Sequence, residues 1–221
     1  SGLTLMTTWH SRHAVAVEPA RNWLSTRRLT RAHINWREDV RRWHPGQDWV
    51  WEPGGLGVFD PGINALSIAT HILPSALVLQ EATLNVPANR QSPVAAELRF
   101  DSAGTPVTAS FDWLQTGPQT WDIEIETETG TLTLRDGGAT LLVNGETVPM
   151  PKNEEYPSLY ARFAELDRLK LDLDRLDARI ERIAERSLEL LSDESRQTLL
   201  QLLSRRRDTT LTGAETVSSS P

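Results

Sequence analysis

A carboxylate at the mouth of a helix is the first feature of this sequence that could do chemistry. Asp60 precedes Pro61, a residue type favoured at the first helical position. Apolar residues at Leu66, Ile68, Ala69 and Ile72 then follow helical spacing from Asn64 to Leu73, and Pro74 stops the run. Asp60 reads either as an N-cap, which this spacing fits well, or as a catalytic carboxylate. The segment before it, Val40 to Gly57, is rich in Pro, Gly and Trp and has no hydrophobic period. It is expected to be a long structured loop, and such loops more often than not carry function. The five histidines, His10, His13, His33, His44 and His71, show no His-x-x-x-His or Glu-x-x-x-His spacing, so no metal site is expected. The absence of cysteine removes disulfides, thiolate nucleophiles and cysteine–zinc sites, and fits a cytoplasmic location.

The elements that must hold these groups follow from the rest of the pattern. With 221 residues, 24% charged and 38% hydrophobic, the chain has ordinary globular composition. No run approaches the roughly 20 apolar residues of a membrane span, and Ser1 to Met6 is too short and uncharged for a signal peptide, so no membrane partner is expected. A net charge of -7 argues against a nucleic-acid surface, which needs clustered Lys and Arg. Ala14 to Leu29 carries apolar residues at helical spacing, with Pro19 near the first turn. Thr30 to Glu38 alternates, Ala32, Ile34 and Trp36 against His33, Asn35 and Arg37, as a half-buried strand does. Strand-like runs follow at Ala76 to Val86, Val94 to Phe100, Val107 to Trp113, Trp121 to Glu126, Thr131 to Leu134 and Thr140 to Val143. Turn signals separate several of them, and the last is followed by Asn144-Gly145, a type I′ hairpin dipeptide. The series predicts an α+β fold, an open, mostly antiparallel sheet with helices on one face.

Composition changes after Phe163, the last aromatic residue. Leu166, Leu169, Leu173, Leu176, Ile180 and Ile183 occupy heptad a and d positions, and Ser192 with Asp193 and Glu194 signals a second helix, striped by Leu199, Leu200, Leu202 and Leu203. A first domain over 1–166, a helical hairpin or coiled coil over 167–207 and a disordered tail over 208–221 are expected. Arg205 to Arg207 read as the C-terminal charge run of that helix.

Five blocks of residues are familiar together: Thr8-Trp9-His10-Ser11-Arg12, Trp36-Arg37-Glu38-Asp39-Val40, the run from Trp43-His44-Pro45-Gly46-Gln47-Asp48-Trp49 to Asn64, Phe111-Asp112-Trp113, and Thr116 to Asp122. Over about residues 2 to 166 the chain resembles the substrate-side, C-terminal domain of the aldose 1-dehydrogenases, those of D-galactose and L-arabinose, in the Gfo/Idh/MocA oxidoreductase family. The resemblance implies NAD or NADP as cofactor, an aldose as substrate and a homodimer, since family sheets often pair. It implies that Asp60 and Asn64 are the paired catalytic residues. Many relatives have His at the second position, and an amide cannot take a proton, so Asp60 is the expected base and Asn64 an orienting hydrogen-bond partner. It further implies that Glu38 and His44 bind sugar hydroxyls, that His10 faces the site, and that Trp43 and Trp121 lie against the sugar ring. Trp36, Trp49, Trp51 and Trp113 are equally well read as core. The family's Gly-x-Gly-x-x-Gly dinucleotide turn is not found in the sequence, and Lys152 and Lys170 stand in the wrong contexts for its catalytic lysine, so an enzyme incomplete on its own is expected. Residues 169 to 205 faintly resemble the dimerising terminal helices of MarR-type regulators. This gives an alternative reading, a non-catalytic oligomerisation or regulatory module with a vestigial site.

Overall fold

Alternation along one strand sets the frame of the protein, whose computed structural model describes residues 5–170. In β1 (Leu29–Arg37) the side chains of Ala32, Ile34 and Trp36 are buried, while His33, Asn35 and Arg37 lie half-buried on the opposite face. The described residues add β2 (Val78–Asn85), β3 (Ala95–Ser102), β4 (Thr105–Asp112), β5 (Thr120–Thr127), β6 (Gly130–Arg135), β7 (Thr140–Val143) and β8 (Glu146–Val148). Together they form one sheet in the order β2-β3-β4-β1-β5-β6-β7-β8. All neighbours pair antiparallel except β1 and β4, which run parallel from Ala32 opposite Val107 to Arg37 opposite Asp112. The consequence is positional. The C-terminal ends of β1 and β4 and the start of β5 share one edge, so Glu38, Trp113 and Trp121 meet there.

The core lies between the sheet and two helices on one face, α1 (Val17–Leu24) and α3 (Phe59–Ile72), which pack on each other and on β1, β5 and β6. α1 buries Val17, Ala20 and Leu24, one face at spacings of three and four. It is shorter than the expected span from Ala14 to Leu29. Upstream, His10–His13 is a 3-10 turn and the Ala16 N–H donates to Gly138 O at 3.0 Å. Downstream, the chain turns over Ser25 to Arg28 so that Leu29 can open β1.

The long loop is less irregular than its composition suggests. It holds α2 (Val40–Trp43), capped by the Asp39 carboxylate accepting the Arg41 N–H at 3.0 Å, and a 3-10 turn at Asp48–Trp51. Gly57, at φ +54°, fastens its end: a Cβ there would stand 2.4 Å from Pro93 O. α3 starts at Phe59 with Val58 as N-cap, so Asp60 is a first-turn residue and the cap reading of Asp60 is displaced. Asn144 and Gly145, at φ +52° and +82°, make the expected turn, which adds the short β8 beyond the expected strands.

Leu5–Phe163 make one compact unit. Residues 155–170 are helical and include Leu166 and Leu169; the remainder of the heptad seam, the segment resembling MarR-type helices and the tail lie outside the described residues. No helix of the described residues is long and apolar enough to cross a membrane.

Candidate active site

At the shared edge of β1, β4 and β5 the chain leaves β1 through Glu38, whose backbone N–H donates to Asp112 O at 2.9 Å. This holds the Glu38 side chain between two indoles: Trp113 Nε1 donates to its Oε1 at 3.1 Å and Trp121 Nε1 to its Oε2 at 3.0 Å. Glu38 is only 6% exposed. Burial pushes its carboxyl above the ordinary range, against the two indole bonds and the nearby His44, which favour the charged form; Asp60 adds to the rise.

α2 then delivers Trp43 and His44. The Trp43 ring stands 5.5 Å from that of Trp121, and its Nε1 donates to Gln119 Oε1 at 3.3 Å. His44 lies edge-on to Trp113 at 5.1 Å and donates from Nδ1 to Gln47 Oε1 at 3.1 Å. Its Nε2 therefore turns inward, 3.4 Å from Asp60 Oδ2 and 4.0 Å from Glu38 Oε1. A neutral imidazole bonded this way has a bare Nε2, and a bare nitrogen facing a carboxylate oxygen leaves room for one shared proton. Asp60 and Asn64 project from the first turns of α3. Asp60 faces His44, and among the described residues the buried Asn64 Oδ1 has no hydrogen-bond partner. Such an orphan acceptor is costly unless something outside the chain donates to it.

All seven expected site residues, His10, Glu38, Trp43, His44, Asp60, Asn64 and Trp121, line one cavity of about 380 Å³. Ser11, Trp36, Pro61, Asp136, Gly137 and Glu155 complete the lining. Trp36 is thus both core and wall, and Trp113 is fully buried behind Glu38. Trp51 packs 5.1 Å from Trp113, whereas Trp49, 52% exposed, corrects the expectation that it belongs to the core. Asp136 and Gly137, both at positive φ, lie in the turn between β6 and β7 and were not among the expected site residues. Glu155, whose Oε2 meets His10 Nδ1 at 2.5 Å, was invisible in the sequence because 145 residues separate the pair. Among the described residues no group of three or more His, Cys, Asp or Glu could hold a metal ion.

No family model matches the chain. Galactose 1-dehydrogenase of Pseudomonas fluorescens is 48% identical over 155 residues, 70% of this chain and 51% of that protein. The chain is a homologue of the galactose 1-dehydrogenases. The crystal structure of D-galactose-1-dehydrogenase from Rhizobium etli superposes with a TM-score of 0.73 at 52% identity, over 76% of this chain and 54% of that one. A 3-ketoreductase from Actinomadura kijaniata, crystallised with NADP and TDP-benzene, shares the fold at a TM-score of 0.62 and 14% identity, over 76% of this chain and 56% of that one. This homologue thus spans about half the length of the dehydrogenases it matches. Its sheet domain is of the Gfo/Idh/MocA type.

Proposed function

We propose that Leu5–Phe163 is the sugar-binding half of a nicotinamide-dependent aldose 1-dehydrogenase, which oxidises the anomeric carbon of a galactose- or arabinose-type sugar to a lactone. The observation that carries this reading is the convergence of all seven expected residues on one tryptophan-walled cavity. The indole faces of Trp43 and Trp121 suit the C–H faces of a pyranose, while Glu38, His44, Asp60 and Asn64 offer directional partners to its hydroxyls. Asp60 accepts the proton of the anomeric hydroxyl. The His44 Nε2, 3.4 Å from its carboxylate, then shares that proton, so the charge change is spread over two groups. Asn64 Oδ1 accepts from a hydroxyl and so loses its orphan state.

The cavity also selects by charge. Among the described residues thirteen line it; four of these are carboxylic acids, Glu38, Asp60, Asp136 and Glu155, and none is Lys or Arg. A neutral sugar suits it; a sugar phosphate or sugar acid is repelled. For the same reason the described residues do not fit the pyrophosphate of NAD or NADP: they offer it neither a basic group in the cavity nor a strand, Gly-rich turn and helix. The dinucleotide's phosphates would have to be held by other residues. Calorimetric titration of the chain with D-galactose, L-arabinose and galactose 1-phosphate tests the reading. Binding of the two neutral sugars and not the phosphate is expected, and no binding of either neutral sugar sinks it. Lactone formation by this chain with NAD(P) alone would overturn the split into two halves.

A further inference from the structure

The histidine at the cavity rim is held by a chain of hydrogen bonds whose direction is fixed from one end. The Val15 backbone N–H, which can only donate, bonds to Asn153 Oδ1 at 3.0 Å. That settles which end of the amide is which. Asn153 Nδ2 consequently donates to Glu155 Oε1 at 2.8 Å, and the other carboxylate oxygen, Oε2, faces His10 Nδ1 at 2.5 Å. A carboxylate only accepts, so the proton of this bond belongs to the imidazole. The Ser11 hydroxyl is 3.5 Å from the same nitrogen, too far to compete. The Tyr156 ring, stacked on the imidazole with centroids 5.3 Å apart and planes 14° from parallel, fixes its tilt. Glu155 is 17% exposed and His10 42%, so the anchor is sheltered and the ring meets the cavity. The bond from His10 and that from Asn153 hold the Glu155 carboxyl below its ordinary range, against the burial that opposes them, which keeps the anchor ionised.

We propose that Glu155, oriented by Asn153, is a positioning residue that holds the ring proton of His10 on Nδ1, so that the imidazole in its neutral form presents a bare Nε2 to the cavity as an acceptor for a sugar hydroxyl. The last clause rests on the reading of the cavity as a sugar site; the tautomer does not. Glu155→Gln inverts the arrangement. Asn153 Nδ2 still needs an acceptor, so the new amide turns its oxygen toward Asn153 and its NH₂ toward His10. Nδ1 must then accept, the ring proton moves to Nε2, and the atom facing the cavity changes from acceptor to donor.

Long-range proton–nitrogen correlation on the nitrogen-labelled full chain reads the tautomer directly at alkaline pH, where an imidazole is neutral. His10→Gln identifies the signals. The wild-type chain is expected to show the Nδ1–H form, and Glu155→Gln the Nε2–H form with galactose bound about tenfold more weakly, the loss of roughly one hydrogen bond. An Nε2–H form in the wild-type chain, or an unmoved tautomer in Glu155→Gln, overturns the proposal. The wild-type spectrum carries the test without any variant should Glu155→Gln not fold. An Nδ1–H form in a wild-type chain that binds no galactose upholds the positioning role and overturns the sugar reading, so the two failures are told apart.

Discussion

Replacing Glu38 by Gln alters a single atom of the side chain and asks whether the two indole bonds or the burial of charge governs this corner of the molecule. The carboxylate accepts from Trp113 Nε1 at 3.1 Å on one oxygen and from Trp121 Nε1 at 3.0 Å on the other. Gln keeps one acceptor and turns an NH₂ toward the second indole, so a buried N–H loses its partner at a cost of about 1–3 kcal/mol. Removing the charge returns part of this, because burial already disfavours the ionised form and raises its pKa. The net expectation at neutral pH is a loss of about 1–2 kcal/mol, a fall in melting temperature of roughly 2–8 °C for a chain of this size. The pH dependence has a definite sign. A carboxyl whose folded pKa lies above its unfolded one binds protons more tightly when folded. Its contribution is therefore fully present below the unfolded value and is lost as pH rises through the folded value. Wild-type protein gains this contribution on acidification and Glu38→Gln does not, so the deficit of the variant widens as pH falls from neutral. Thermal unfolding followed by near-ultraviolet circular dichroism at several pH values reads both quantities. A variant as stable as wild type at neutral pH, or a deficit that narrows on acidification, would refute the reasoning.

Other perturbations have equally definite outcomes. Gly57→Ala places a Cβ 2.4 Å from Pro93 O on a backbone at φ +54°, and should cost about 2–4 kcal/mol and loosen the Trp-rich loop, read by denaturant unfolding and by proteolysis between Val40 and Gly57. Trp43→Ala removes one aromatic wall and should weaken galactose binding about tenfold with little change in melting temperature, since Trp43 is 43% exposed. Asp60→Asn, measured in a chain supplied with a nucleotide domain, should lower turnover about 10²–10⁴-fold with a much smaller change in KM; equal losses in both would make Asp60 a binding group rather than a base.

Much of this arrangement was legible in the residues themselves. Alternation in Thr30 to Glu38 and in the later runs located the strands, because one face of an open sheet must be apolar. The type I′ dipeptide located the turn after Val143. Local pattern could not tell where α1 stops, since Leu29 has the same apolar character whether it closes a helix or opens a strand. Nor could it show that β1 and β4 run parallel, which depends on the path of the chain over the 67 residues between Arg37 and Thr105. Asp60 was legible beside a helix start, but its neighbour across the cavity was not. The resemblance pairs it with Asn64, and the fold also brings His44 Nε2 to 3.4 Å from its carboxylate. The His10 clamp left no local signal at all, because its members come from opposite ends of the compact unit.

The bond from Trp113 to Glu38 ties the cavity wall to a side chain with no exposed surface. Over evolutionary time that coupling should make the inner wall conservative, because a change there must survive the loss of a core contact before it can serve a new substrate. Change in what the cavity accepts is then channelled to its rim at Trp43, which is 43% exposed and can be exchanged at little structural penalty.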